Sequence, residues 1–85
     1  MIYRIQFSKY DEYVFENRKD AYAYAFRLIK EGKKRVVVGK SANRSSRWST
    51  DGIVMVRYGV AEVHKRSKDG IGRYILYSNG TTKRL

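Results

Sequence analysis

One stretch decides most of what this chain can fold into: between Asn17 and Gly32 a start signal, a helical period and a stop signal agree. Asn17 is a good N-cap, because its short side chain can accept from the free N–H groups of a first turn. Asp20, three residues on, resembles the acidic member of a capping box. Ala21, Tyr22, Ala25, Phe26, Leu28 and Ile29 then recur at helical spacing and give a helix over residues 18–31 a wide apolar face. Gly32 suits the left-handed residue that ends a helix, and Lys30, Lys33 and Lys34 surround the negative end of its dipole. A helix with one apolar face needs a second layer to cover it. Everything outside this stretch reads as strand or turn.

Tyr3, Ile5 and Phe7 alternate with Arg4 and Gln6, the period of a half-buried strand. Ser8–Asp11 reads as a turn and Tyr13–Phe15 as a short second strand. Val36–Val38 is an apolar triplet suited to a strand buried on both faces. Residues 40–52 are rich in Ser, Asn and Gly without apolar periodicity and read as a loop. Ile53–Lys65 is a long β-rich run in which Gly59 suggests a bulge. Asp69–Gly70 marks a hairpin turn, Ile71–Ser78 the returning strand and Asn79–Gly80 a further turn; Thr81–Leu85 is an edge strand or a tail. The expected fold is α+β: a mostly antiparallel sheet of four to five strands with one α-helix packed on one face. Residues 1–85 form a single domain in this reading, ordered as strand or strands over 2–15, helix 18–31, strand 34–39, basic loop 40–52 and hairpin 53–78. The face away from the helix is where Arg4, Arg57 and Arg73 could project.

A chain of 85 residues buries a small core. It has no cysteine to staple it, so hydrophobic packing must hold it together, and self-association as a homodimer could add to that. One histidine and no cysteine leave no metal-ligand cluster, and no motif calls for a cofactor. No apolar run approaches the ~18 residues of a membrane span. The first residues turn polar too soon for a signal peptide. The expected location is the cytoplasm, a host's if the protein is viral.

Charge is the main functional clue. Residues 1–32 carry six Lys and Arg against five Asp and Glu, whereas residues 33–85 carry thirteen against three. Such asymmetry is what a surface for phosphates requires, and solubility alone would not demand it. Lys40, Arg44 and Arg47 punctuate the polar segment and Trp48 closes it. The cations could follow a phosphate backbone, Ser and Asn could donate to its oxygens, and the indole could stack on a base. The plainer role for Trp48 is to anchor the loop. Lys65, Arg66 and Lys68, with His64, cluster at a hairpin tip that could enter a groove or simply discourage edge association. Arg57 and Arg73 fall on neighbouring strands; whether they share a face depends on Gly59. Several of the eight tyrosines suit half-buried positions, with Tyr24 expected to be exposed.

Glu62, His64 and Arg66 alternate along one strand, the kit of an acid, a base and a cation that a small ribonuclease uses. The opening IYRIQFSK and the later basic strands resemble RelE/ParE-type toxins, a likeness that would imply such an activity. That family places a helical hairpin after its first strand, and here one helix stands alone. No catalytic residue is therefore assigned, and the chain is read as a binding protein. The leading expectation is a small basic protein that binds DNA or RNA with little sequence specificity, of the kind found among phage accessory proteins. Its site would comprise Lys40, Arg44, Arg47, Trp48, Arg57, Lys65, Arg66, Lys68 and Arg73. The alternative is an inhibitor or adaptor that docks on an acidic or nucleic-acid-binding protein surface, such as a host polymerase or a defence nuclease. Electrostatics would steer association in both.

Overall fold

A computed structural model describes residues 1–6 and 12–85 of the chain. Phe7 and the turn expected at Ser8–Asp11 lie outside the described residues. The elements run β1 (Ile2–Gln6), β2 (Glu12–Phe15), α1 (Arg18–Lys30), β3 (Arg35–Ser41), β4 (Ser49–Arg57), β5 (Val60–Ser67), β6 (Gly70–Leu76) and β7 (Thr82–Arg84). Helix α1 begins and ends where its local chemistry dictates. Asn17 Oδ1 accepts from the N–H groups of Lys19 and Asp20 at 2.8 and 3.3 Å. At the other end Gly32 takes φ 106°, Gly32 N–H donates to Ile29 O, and Lys33 N–H donates to Leu28 O, the two bonds of a Schellman cap.

The strands form one antiparallel sheet in the order β2-β1-β3-β4-β5-β6-β7. The α+β character with one helix on an antiparallel sheet stands; the strand count rises from the expected four to five to seven. One local fact adds a strand and another lengthens two of the expected ones. Tyr58 and Gly59 both have positive φ (51° and 76°), the requirement of a tight two-residue hairpin turn, so the run 53–65 folds back on itself instead of bulging. The segment 40–52 is a loop only over residues 42–48: β3 continues through Ser41 and β4 begins at Ser49, with Lys40 paired to Ser49. The end of the chain adds β7 as an edge.

Alternation sorts the sheet into two faces. Tyr3, Ile5, Val36, Val38, Val54, Ala61, Val63 and Leu76 lie beneath α1 and are buried with its Ala21, Tyr22, Ala25, Leu28 and Ile29. Truncating one of the fully buried residues, such as Ile5, to alanine should cost about 2–4 kcal/mol. Val37, expected to be buried like its neighbours, faces the other way and is half-buried. Tyr24, expected to be exposed, packs its ring 5.1 Å from that of Tyr13 and 5.5 Å from that of Phe15, extending the core toward β2.

A bulge in β4 shapes the sheet beside the helix. Val38 pairs with Gly52 but Gly39 pairs with Thr50, leaving Asp51 as the extra residue. Its buried carboxylate turns under α1, where it accepts from Tyr22 Oη at 2.7 Å and from Arg18 Nη2 at 3.0 Å. A methyl group on Gly52 would collide with the Tyr22 hydroxyl and lie 2.8 Å from Val63 Cγ1. Glycine at 52 is what lets the Tyr22 ring lie across the strand to reach Asp51. The Tyr22 hydroxyl is pushed well above the ordinary phenol range, first by burial and then by that hydrogen bond, so it stays a neutral donor.

Candidate nucleic-acid interface

Among the described residues, α1 is the only element packed on the sheet, and the opposite face stays open. Cross-strand register aligns its side chains in rows. One row runs Arg35, Met55, Glu62, Ile75, Lys83 from β3 to β7; the next runs Gln6, Val37, Ile53, His64, Arg73 from β1 to β6. Arg57 and the Arg66–Ile71 pair share this face on either side of those rows. Neighbouring strands are about 4.8 Å apart, so the rows set the cations among half-buried Val37, Ile53, Met55 and Ile75.

The carboxylate at the centre of this lattice is buried although no helix covers it. Glu62 Oε1 lies 3.0 Å from His64 Nε2 and accepts from Arg73 Nε at 3.2 Å, while Oε2 accepts from Arg73 Nη2 at 3.3 Å. The Arg73 guanidinium holds Glu62 below the usual carboxylate range against burial that pushes it up, and His64 and Arg57 add to the lowering. Across the open face of β3–β7 the cations Arg35, Arg57, Arg66, Arg73 and Lys83 thus stand against Glu62 alone. The described carboxylates elsewhere sit on β2 and around α1 (Glu12, Glu16, Asp20, Glu31), at the β5–β6 tip (Asp69), or under the helix (Asp51). The open face thus carries a local excess of positive charge, although cations crowd the helix side too, where Arg18, Lys19, Lys30, Lys40, Lys65 and Arg84 lie among more carboxylates.

The expected site residues separate between faces. Arg57, Arg66 and Arg73 share the open face, because the turn at Tyr58–Gly59 preserves alternation on both strands; the expected adjacency of Arg57 and Arg73 does not hold, since that turn inserts β5 between β4 and β6. Lys68 occupies the β5–β6 tip on the same side. Arg44 and Arg47 are exposed on the 42–48 loop. Lys40 and Lys65 belong elsewhere. Lys40 Nζ lies 3.7 Å from buried Asp51, and Lys65 Nζ sits 5.4 Å above both the Tyr22 and Tyr74 rings, so these two cations point to the helix side. Alternation from buried Val36 and Val38 puts Lys40 on the helix side, where the bulge supplies the Asp51 carboxylate it meets.

Trp48 is half-buried at the β3 end of the open face. Arg4 stacks on its ring with the guanidinium carbon 4.5 Å from the centroid, and a Cβ on Gly39 would lie 3.6 Å from Trp48 Cε3. One face of the indole is therefore already occupied. Within the loop Asn43 Oδ1 accepts from the N–H groups of Ser45 and Ser46 and from Ser46 Oγ, which fixes the turn that carries the exposed Arg44 and Arg47. Sequence reasoning missed Arg35, Lys83 and the anchoring role of Glu62. Alternation with buried Val36 and Val38 would have placed Arg35 on the open face.

Among the described residues no group of three His, Cys, Asp or Glu side chains comes together as a metal site, and no helix is long and apolar enough to cross a membrane. No protein-family model, curated protein or solved structure matches the chain.

Proposed function

We propose that the chain is a binding protein, not an enzyme, and that its open sheet face holds nucleic acid by the phosphate backbone with little sequence preference. The observation that carries this reading is the open face of β3–β7, with five cations and a single, buried, fully engaged carboxylate. Solvent-facing arginines spread over a sheet suit phosphates, and among the described residues no set of amides or carboxylates stands beside them to read adenine or cytosine edges. Arg44 and Arg47 extend the positive surface toward β1. Glu62 does not serve as a base in this reading, since Arg73 and His64 occupy both its oxygens.

The test compares two variants of equal charge. Arg35→Gln with Arg57→Gln removes two cations from the open face; Lys19→Gln with Lys30→Gln removes two from the helix. Fluorescence anisotropy on labelled DNA and RNA should show the first pair weakening binding roughly tenfold or more at about 0.1 M salt, and the second leaving it within about twofold. Equal losses would mean that net charge alone attracts the ligand.

A specific observation favours a second reading. Ile71 is 71% exposed beside half-buried Ile53, an apolar element that phosphates do not need. An inhibitor or adaptor docking this face on an acidic protein surface would use it. Failure to bind any nucleic acid at about 50 mM salt promotes that partner.

A further inference from the structure

We infer that the cleft beside the β5–β6 tip is a pocket for one unpaired nucleotide, so that the protein prefers single strands to duplexes; the inference rests on the nucleic-acid reading above. The cleft encloses about 650 Å³ and is lined chiefly by Thr50, Ile53, His64, Arg66, Lys68 and Ile71. That volume falls within the range of small-molecule sites. Its chemistry is two-sided. Ile53 and Ile71 supply apolar surface for a sugar and a base, while Arg66, Lys68 and His64 supply donors for a phosphate, and no carboxylate lines it. An amphipathic anion with a flat apolar body matches that pairing. In a duplex the faces of the bases are stacked on one another, so only an unpaired nucleotide can lay its base against the isoleucines. Contact through the face of the base discriminates little between bases, in keeping with low sequence preference.

Ile71 gives a clean test, since it is 71% exposed and its truncation spares the core. Wild type, Ile71→Ala and Arg66→Gln are titrated with a labelled oligothymidylate and with a duplex of the same length. Ile71→Ala should weaken the single strand about fivefold and leave the duplex unchanged, whereas Arg66→Gln should weaken both. If wild type binds both forms and Ile71→Ala changes them equally or not at all, the pocket inference falls and the interface reading survives. If wild type binds neither, both fall. A second measurement follows the Ile71 methyl resonances: thymidine monophosphate should shift them and inorganic phosphate should not. Shifts elicited by phosphate alone would reduce the cleft to a simple anion site and overturn the inference.

Discussion

Glu62→Gln should move stability and binding in opposite directions. The carboxylate is 4% exposed and takes two hydrogen bonds from Arg73 and one contact from His64. Bonds to a charged group are worth about 1.5–3 kcal/mol when well shielded. Here the Arg73 side chain is 44% exposed and glutamine keeps one acceptor, so screening reduces the expected loss to about 1 kcal/mol. In a domain this small that lowers Tm by about 4–8 °C. Binding should improve. A phosphate resting about 7 Å above the carboxylate in water-like dielectric is repelled by about 0.6 kcal/mol, so removing the charge should tighten nucleic acid about threefold. Calorimetry and anisotropy on one preparation read both effects. The sign with pH follows from the lowered ionisation of Glu62: its contribution is complete above the ordinary carboxylate range and disappears as pH falls through its depressed folded value. The gap in Tm between wild type and Glu62→Gln should therefore close on acidification. A variant that loses stability yet binds no more tightly would refute the placement of phosphates over this face.

Gly52→Ala should cost about 2–3 kcal/mol in urea unfolding, because its methyl group meets the Tyr22 hydroxyl. Combining it with Tyr22→Phe should cost less than the two separate losses together by at least about 0.5 kcal/mol, and strict additivity would mean that the ring is not the obstacle. Trp48→Ala should destabilise the fold by about 1–2 kcal/mol and affect single strands and duplexes alike, since Arg4 already covers one ring face. A loss confined to single strands would assign the indole to base stacking.

The helix was legible because its cap, its period and its terminal glycine are each local: Asn17, the Ala21–Ile29 face and Gly32 perform in the structure what their side chains offer in isolation. The strand count was not, because Tyr58–Gly59 lacks the Asn or Asp that usually announces a tight hairpin and puts a tyrosine at positive φ. The loop over 40–52 was misjudged for a related reason: Ser49–Gly52 has poor strand propensity and is held by pairing with β3. The composition of the candidate site was half legible. Alternation puts Arg57, Arg66 and Arg73 on one face and, counted from Val36 and Val38, Lys40 on the other; what local pattern does not record is the one-residue bulge that turns the Asp51 carboxylate toward that lysine. Glu62 reads in sequence as an exposed polar residue; only strand pairing brings Arg73 over it.

The salt dependence of wild-type affinity for nucleic acid tests the account most directly. Four to five open-face cations meeting phosphates should give log K against log salt a slope of about −3 to −4.5. A slope near zero, or no binding at about 50 mM salt, would contradict it.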